Sequence, residues 1–273
     1  MIFNILQRIN FNLTEMTIVF NKYQGTGNDF IIIDNRKQLI KPEDSTLINK
    51  LCDRRFGIGA DGVILICASN QYDFEMKYFN SDGLEGSMCG NGGRCSSAFA
   101  IKEKMADNNL SFKAIDGVHK AYFENGIIRL QMNDVHDPRQ IKTNYFINTG
   151  SPHCVSFRKE IDKIDVNTEG KSIRMSDDYA PDGTNVNFVE IIDNGIYVRT
   201  FERGVEGETL SCGTGVTASA IASVLSGQID TNPVKVITRG GNLSVSFRVN
   251  GNTISDIWLS GPATFVYEGL IYI

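Results

Sequence analysis

Apolar and polar residues alternate in short runs along most of the chain, which predicts many β-strands and few helices. The pattern begins near Met16 and is broken by turn residues such as Gly25-Thr-Gly. The predicted strands of the first part are 17–23, 30–34, 63–67, 74–79, 110–114, 120–123 and 127–132. Those of the second part are 145–148, 154–157, 186–192, 195–201, 234–238, 243–247 and 265–267.

Three segments have helical character instead. Residues 41–52 place apolar residues on one face, with Pro42 near the start. The runs 95–102 and 216–225 are rich in Ala and Ser, and each follows a Cys-Gly-X-Gly sequence. Each part of the chain therefore consists of many strands and one such helix, which indicates an old duplication. The polar stretch 133–140 is the predicted linker between the two halves.

Composition and charge narrow the class of protein. The 273 residues are 41% hydrophobic and 22% charged, an ordinary balance for a globular protein. The net charge of −5 argues mildly against nucleic-acid or anionic-membrane partners. No apolar run approaches the roughly 18 residues of a membrane span, and the N-terminus makes a poor signal peptide. A cytoplasmic location and free thiols at all six cysteines are therefore expected. The three histidines lack metal-ligand spacing, so no metal is expected.

The two Cys-Gly-X-Gly sequences carry the candidate chemistry, at Cys89 and Cys212. Glycine lets a ligand approach the backbone closely, and the free amides at a helix start favour negative charge. We expect these amides to hold a carboxylate and to lower the pKa of each thiol. Two such sites facing one cleft would place a thiolate on one face of an α-carbon and a thiol on the other. That is the minimum equipment for inverting a stereocentre without a cofactor.

The cysteines also admit other interpretations. A single cysteine beside a glycine is most often a small buried hydrophobic residue, which is the preferred interpretation for Cys52, Cys67, Cys95 and Cys154. Two copies of the motif, each before a small-residue helix, are harder to explain by packing. A disulfide between Cys89 and Cys212 is a third alternative, and it would be an inactive form in the cytosol.

Several motifs together resemble those of diaminopimelate epimerase. Residues 80–95 (NSDGLEGSMCGNGGRC) are similar to the first signature of that family, and residues 202–215 (ERGVEGETLSCGTG) to the second. Residues 25–30 (GTGNDF), 57–62 (GIGADG) and the pair Pro152-His153 also match in order and spacing. The resemblance runs from about Met16 to the C-terminus.

The resemblance implies an α/β (α+β) fold of two similar halves, each a β-sheet wrapped around a central helix, with the active site in the cleft between them. In that family the last strand commonly returns to the first half. The expected domains are thus 16–133 plus 258–273 and 134–257, preceded by an extension of unknown role at 1–15. The implied activity is conversion of LL- to meso-diaminopimelate for lysine and peptidoglycan synthesis. A small-molecule substrate and a homodimer are the expected partners, and no cofactor is expected.

The resemblance also implies roles for individual residues. Cys89 and Cys212 match the acid/base pair. The residues that match substrate-binding positions are Asn28, Asn80, Gly90, Asn91, Asn185, Glu202, Arg203, Gly213 and Thr214. His153 matches a histidine near the reacting centre. Where many members have Gly-Asn-Pro-His, this chain has Ser151 before the proline, and its contact with substrate is an open question.

Two alternatives of other kinds stay open at this point. A proline or hydroxyproline racemase of the same fold resembles this chain only in the Cys-Gly elements. A non-catalytic protein that binds a diamino acid is the other alternative, although the retention of both cysteines argues against it. An enzyme of the phenazine-biosynthesis type lacks the cysteine pair.

Overall fold

The computed structural model describes residues 17–272, so the predicted extension at 1–15 lies outside the described residues. The first strands are β1 (Thr17–Gly25), β2 (Asn28–Asp34), β3 (Gly62–Cys67), β4 (Phe74–Asn80), β5 (Asn109–Ala114), β6 (Gly117–Glu124), β7 (Ile127–Gln131), β8 (Val135–His136) and β9 (Arg139–Ile141). The later strands are β10 (Asn144–Asn148), β11 (Pro152–Phe157), β12 (Asn185–Ile192), β13 (Gly195–Glu202), β14 (Gly207–Thr209), β15 (Val234–Thr238), β16 (Gly241–Asn250), β17 (Thr253–Gly261) and β18 (Thr264–Tyr272). The helices are α1 (Ser45–Cys52), α2 (Gly90–Lys102), α3 (Val166–Arg174) and α4 (Gly213–Leu225).

The observed elements confirm the predicted strands and the mixed α/β class. Helix α1 begins later than predicted because Asp44 caps it, its side chain accepting from the amide of Leu47 at 3.0 Å. The predicted linker at 133–140 is not irregular, because β8 and the start of β9 lie in this stretch. Strand β8 pairs with β17 and β9 pairs with β10, so backbone pairing outweighs the polar side chains. Helix α3 was not predicted.

The strands join into one continuous, strongly mixed sheet system. Strand β17 pairs with β16 on one side and with β7 and β8 on the other, and so connects the earlier and the later strands. Strand β18 pairs with β1 along its whole length. The last strand of the chain therefore lies beside the first described one. The domain division expected from the sequence stays a prediction.

Helices α2 and α4 each run through the middle of a set of strands. Helix α2 contacts β1, β2, β3, β4, β6, β7 and β18, whereas α4 contacts β10 to β13 and β15 to β17. Both helices have 13 residues and are buried on nearly every face, so neither shows an amphipathic stripe. Their buried hydroxyl groups donate to carbonyls one turn back, as Ser96 does to Gly92 and Ser219 to Gly215. Small residues thus let the surrounding sheet approach the helix backbone.

The N-termini of the two helices meet near the middle of the molecule. A Cβ atom added to Gly213 would lie 3.1 Å from the Cα of Gly90. The two glycines therefore permit a backbone approach that any side chain would hinder. Within residues 17–272, no helix is long and apolar enough to cross a membrane.

Candidate active site

Cys89 and Cys212 occupy the same position in their respective helices. Each is the N-cap residue, with extended backbone angles of φ −102°, ψ 116° for Cys89 and φ −116°, ψ 113° for Cys212. The Sγ of Cys89 accepts a long hydrogen bond of 3.5 Å from the amide of Gly92. An N-cap side chain faces the free amides of the first turn, so both sulfur atoms lie beside a potential anion site.

Both cysteines line one cleft of about 670 Å³. Every residue predicted to bind or react with a substrate lines it, apart from His153. The predicted residues in the lining are Asn28, Asn80, Cys89, Gly90, Asn91, Ser151, Asn185, Glu202, Arg203, Cys212, Gly213 and Thr214. The fold thus brings together residues that are up to 186 positions apart in the sequence.

The pKa values of the two thiols differ from the sequence-based expectation. Burial raises the pKa of Cys89 to about 11, and it raises that of Cys212 further. The carboxyl group of Glu202 adds to the increase at both thiols. The expected decrease is therefore wrong for the ligand-free protein. The helix amides do favour the thiolate, but the removal of water from both sulfur atoms outweighs them.

On the side of Cys89, the side chain of Asn28 is held in one orientation. Its Nδ2 donates to Asp61 at 2.7 Å. Its Oδ1 therefore faces Cys89, whose thiol donates to it at 3.6 Å. Asp61 is itself fixed by the guanidinium of Arg54 at 2.8 Å and by the backbone amide of Asp29 at 3.1 Å. A charged network at the cleft edge thus orients an amide that contacts the sulfur.

The Asn91 side chain connects the two cysteine motifs. Its Nδ2 donates to the backbone carbonyl of Ser211 at 2.9 Å and faces the Oδ1 of Asn28 at 3.3 Å. Ser211 immediately precedes Cys212. Asn91 is only 1% exposed, and its hydrogen bond to Ser211 forms out of contact with water. The two helix starts are consequently held in register by a buried side chain.

On the side of Cys212, a chain of hydrogen bonds leads from the core to the sulfur. The Thr200 hydroxyl donates to Asn187 at 2.9 Å, and the Nδ2 of Asn187 lies 3.0 Å from Nδ1 of His153. Since Nδ1 must then accept, the ring proton is on Nε2, which lies 2.9 Å from the Thr214 hydroxyl. That hydroxyl is 3.3 Å from the Sγ of Cys212.

His153 is neutral in this arrangement. The ring is fully buried, and burial together with the charge of Arg203 lowers its pKa to about 3. It lies behind Thr214 and is not part of the cleft lining. In the structure His153 orients the threonine beside the sulfur, and two protein groups already occupy both ring nitrogens.

Asn185 and Ser151 form another contact at the cleft wall. The Asn185 Nδ2 donates to the hydroxyl of Ser151 and to the carbonyl of Pro152, each at 2.9 Å. Its Oδ1 accepts from the backbone amide of Arg203 at 2.8 Å. The amide nitrogen of Asn185 is thus fully used in joining two loops, whereas its oxygen keeps one lone pair for a further partner. The hydroxyl of Ser151 accepts from Asn185 and can still donate into the cleft.

Polar groups also line the part of the cleft away from the helix starts. Glu202 is the last residue of β13, and burial raises the pKa of its carboxyl group. The Arg203 guanidinium donates to the carbonyl of Asp182 at 3.3 Å. The exposed Asn80 accepts from the hydroxyl of Tyr78 at 2.8 Å. A carboxyl group from Glu202, a guanidinium from Arg203 and an amide from Asn80 thus border the same region of the cleft.

Sequence reasoning missed several residues that support the site. Asn187 and Thr200 were read only as parts of strands. Asn187 lies two positions after Asn185, on the same face of β12, and is a polar residue in an otherwise apolar run. That pattern was the available signal. The other four cysteines, Cys52, Cys67, Cys95 and Cys154, are free and lie outside the cleft lining.

Solved structures of low sequence identity share the fold. A phenazine biosynthesis protein from Bacillus anthracis superimposes with a TM-score of 0.71 at 18% identity, covering 94% of this chain and 100% of the other. A hydroxyproline epimerase from Agrobacterium vitis gives a TM-score of 0.68 at 14% identity, covering 94% and 93%. Together they confirm the predicted fold of two repeated halves.

Sequence comparison defines the class of protein as an isomerase. The family profile described as diaminopimelate epimerase matches residues 20–135 and 145–266. The chain belongs to the diaminopimelate epimerase family. The diaminopimelate epimerase of Flavobacterium psychrophilum is 52% identical over 253 residues, covering 92% of this chain and 98% of the relative. That of Aquifex aeolicus is 39% identical over 272 residues, covering 92% and 96%.

Proposed function

We propose that this protein interconverts LL-diaminopimelate and meso-diaminopimelate, with Cys89 and Cys212 as the two acid/base groups. The observation that carries the proposal is the equivalent position of the two thiols, at the N-caps of two helices whose first residues nearly touch. Family membership and the identity of 52% to a diaminopimelate epimerase support the choice of substrate.

The helix starts are suited to the carboxylate at the reacting end of the substrate. The first amides of α2 and α4 have no partner within their helices, and the helix dipoles favour an anion there. Gly90 and Gly213 allow the carboxylate to approach the backbone, while Asn91 and Thr214 supply side-chain groups. Such fixed donors also stabilise the charge that develops on the carboxylate when the α-proton leaves.

The far end of diaminopimelate carries a second amino-acid group. Glu202 supplies a carboxylate for its ammonium, and Arg203 supplies a guanidinium for its carboxylate. Asn28, Asn80, Asn185 and Ser151 complete the polar wall in this proposal. A substrate without the second amino-acid group would leave the half-buried Glu202 and Arg203 without the substrate partners proposed for them, and an unsatisfied buried polar group costs about 1–3 kcal/mol.

The proposed reaction balances with two protons. The thiolate of one cysteine removes the α-proton and becomes a thiol. The electron pair left on the α-carbon takes a proton from the thiol of the other cysteine, which becomes the thiolate. The configuration is inverted because the two groups stand on opposite faces, and the reverse reaction exchanges their roles. His153 holds Thr214, and through it the sulfur of Cys212, in position.

The remaining parts of the proposal come from the sequence and the family. The reaction needs no cofactor, the location is the cytoplasm, and the assembly is a homodimer. The product serves lysine and peptidoglycan precursor synthesis. Light scattering of the purified protein tests the assembly, and cell fractionation tests the location.

The decisive experiment uses LL-diaminopimelate and purified protein with no added cofactor, followed by chiral analysis. In heavy water, newly formed meso product should carry deuterium at the inverted α-carbon, while the recovered substrate stays largely protiated. Cys89→Ala and Cys212→Ala should each abolish epimerisation. Cys67→Ala is the matched control, because its thiol lies outside the cleft, and it should stay active.

Four results would contradict the proposal. Full epimerisation by either single variant would exclude the two-thiol pair. Product that retains the original hydrogen would indicate one base. Turnover of proline or hydroxyproline in place of diaminopimelate would favour a racemase, and tight binding of diaminopimelate without turnover would indicate a binding protein.

A further inference from the structure

Arg94 is a fully buried arginine without an acidic partner. Its side chain is 0% exposed, and it lies on α2 one turn beyond Gly90. Its guanidinium donates to the Asn91 Oδ1 at 3.0 Å and to the Thr26 hydroxyl at 3.3 Å. It also donates to the backbone carbonyls of Gly90 at 3.3 Å and Pro262 at 3.4 Å. All four partners are neutral, and within residues 17–272 no carboxylate is in ion-pair contact with it.

Another buried arginine of the same chain shows the usual arrangement. The side chain of Arg199 is 4% exposed and pairs with Glu208 at 2.7 Å. Removing an unpaired charge from water costs several kcal/mol even after relaxation. The two arginines therefore differ in what offsets that cost. For Arg199 the protein supplies the anion, whereas for Arg94 it does not.

The surrounding backbone leaves space for the Arg94 guanidinium. A Cβ atom on Gly25, at the end of β1, would lie 3.3 Å from one of its terminal nitrogens. A Cβ atom on Gly261, at the end of β17, would lie 3.3 Å from its Nε. Backbone without side chains thus encloses the charge from two sides. An apolar side chain would fill the same space without the cost of desolvation.

The position along the helix is also unfavourable for a cation. The N-terminal end of a helix carries partial positive charge, so a buried guanidinium there adds to it. Both penalties fall when an anion occupies the adjacent cleft. Within the cleft, the sites for such an anion are the Cys89 sulfur and the carboxylate site at the start of α2. The Cys95 sulfur also interacts with the Arg94 charge, but it lies outside the cleft lining.

Arg94 also fixes how Asn91 presents its amide. A guanidinium can only donate, so the atom of Asn91 that faces it must be the oxygen. The Nδ2 of Asn91 is thereby directed to the carbonyl of Ser211 and to Asn28. Arg94 therefore supplies the positive charge beneath the first cysteine motif. It also orients the Asn91 amide that forms the hydrogen bond to the second motif.

The second half of the chain has no equivalent cation. The residue five positions after Cys212 is Thr217, whose hydroxyl donates to the carbonyl of Gly213 at 2.9 Å. The two cysteine sites are therefore electrostatically unequal although their helices are alike. The buried positive charge is specific to the side of Cys89.

We propose that Arg94 is the resident counter-cation of the cleft, stabilising the thiolate of Cys89 and the carboxylate of a bound substrate while it orients Asn91. The part that concerns the substrate rests on the proposed function, whereas the part that concerns the thiolate does not. Arg94 acts as a positioning and electrostatic residue, since Gly90 and Asn91 separate it from the cleft.

Several other groups influence the charge on Cys89. Burial raises its pKa most, and the carboxyl group of Glu202 on β13 raises it further, whereas Arg94 lowers it. Tyr78 on β4, Cys95 on α2 and Cys212 at the start of α4 also interact electrostatically with the Cys89 thiol. Among these groups Arg94 is the one cation, so its replacement by a neutral residue should raise the pKa of Cys89.

The test measures alkylation of Cys89 by iodoacetamide as a function of pH, in ligand-free protein that carries Cys212→Ala. The rate follows the thiolate fraction, and one unit of pKa changes it about tenfold below the midpoint. Arg94→Met and Arg94→Gln should slow alkylation at pH 8.5 by about tenfold or more, whereas Arg94→Lys should keep most of the rate. Peptide mapping by mass spectrometry confirms which thiol reacts.

A purely structural arginine would give a different pattern. In that case Arg94→Met would lower the melting temperature and leave the pH profile of the folded protein unchanged. For a counter-cation, the pH profile of alkylation moves to higher pH, whatever the change in melting temperature. The pH profile of alkylation, compared with the melting temperature, thus separates a structural arginine from a counter-cation.

A second pair of variants keeps Arg94. It remains informative if the proteins with substitutions at Arg94 do not fold. Thr26 has a φ of 51°, a conformation that Asn and Asp adopt more readily than Thr. Thr26→Asp gives the guanidinium its own carboxylate, and Thr26→Asn is the uncharged control. We expect alkylation of Cys89 to be about tenfold slower in Thr26→Asp than in Thr26→Asn.

Equal alkylation profiles for the charged and uncharged members of either set would overturn the proposal. The measurement needs no substrate, so it is independent of turnover. A protein that shows the shift but does not epimerise diaminopimelate would support the role of Arg94 and contradict the proposed function. A protein that epimerises but shows no shift would do the opposite.

Discussion

The Nδ2 of Asn91 donates to the backbone carbonyl of Ser211 at 2.9 Å, and this contact spans 120 residues of sequence. It joins the residue two positions after Cys89 to the residue before Cys212. The relative placement of the two thiols therefore depends on a hydrogen bond formed by neither of them. Its loss should affect both halves of the cleft at once.

Asn91→Ala should lower the free energy of unfolding by about 1–3 kcal/mol, because it leaves the Ser211 carbonyl and the Arg94 guanidinium without this partner. Urea denaturation measures the change. Asn108→Ala, at an exposed position, is the control and should change little. An unaltered denaturation midpoint for Asn91→Ala would show that the contact contributes nothing to stability.

Asp61→Ala should reduce kcat/KM for diaminopimelate by about ten- to a hundredfold, because Asn28 then loses the partner that turns its oxygen toward Cys89. Steady-state kinetics provide the measurement. Asp34→Ala removes a comparable exposed ion pair, that with Arg36, and should leave kcat/KM within about twofold. Equal rates for the two variants would rule out a positioning role for Asp61.

The two buried histidines should respond to pH in opposite directions. Burial acts to lower the pKa of His119, but hydrogen bonds to Asp116 at 2.9 Å and to the Gln131 carbonyl at 2.8 Å outweigh it, so the pKa is raised above 6.5. Its stabilising contribution is complete below that unfolded-state value and is lost as pH rises through the folded-state pKa.

For His153 the sign is reversed. Its pKa falls from 6.5 to about 3, so its contribution is present above 6.5 and is lost as pH decreases below that value. NMR titration of the ring protons tests both statements. The resonance of His119 should titrate above pH 6.5, and that of His153 should not titrate before acid unfolding. A His153 resonance that titrates near pH 6.5 would contradict the neutral ring and the direction of the Thr214 hydrogen bond.

Glu202→Gln should have opposite effects on reactivity and on binding. The carboxyl group raises the pKa of both thiols, so its neutral replacement should speed alkylation of Cys89 and Cys212 at pH 8.5. The same change should raise KM for diaminopimelate, because an ammonium group loses its counter-ion. Glu206→Gln, at an exposed site paired with Arg174, is the control. Slower alkylation in Glu202→Gln would refute this electrostatic role.

Much of this protein can be read from local sequence. The strands follow from alternation of apolar and polar residues, and α4 follows from a run of small residues after Cys212. The paired Cys-Gly-X-Gly sequences single out Cys89 and Cys212 as candidates, because packing alone is a poor explanation for two copies, each before a small-residue helix. Local patterns missed the two short strands that begin within 133–140. Strand β8 pairs with β17, far later in the chain, whereas β9 forms a hairpin with the neighbouring β10 in spite of its polar residues.

The residues of the site also divide into those that the sequence identified and those that only the fold revealed. Sequence identified Asn28 and Asn91 as candidates but not the atoms that orient them, since Asp61 and Ser211 reach them only through the tertiary fold. Residues such as Asn187 and Thr200 form one hydrogen-bond chain with His153 only because β11, β12 and β13 lie side by side. Pairing of this kind depends on register, which short patterns do not specify.

The sequence by itself determined most of the strands, though not β8, β9, β14 and β17, together with the two helix starts and the presence of a thiol at each. It also gave the wrong sign for the pKa of those thiols, because the helix amides are encoded locally whereas the depth of burial is not. Only the tertiary structure decided that both sulfur atoms are removed from water, that Arg94 is buried without an acid beneath one of them, and that Glu202 borders both. The physical reason is that desolvation and charge–charge interactions depend on distances in space, which are fixed when strands far apart in the chain pair around α2 and α4.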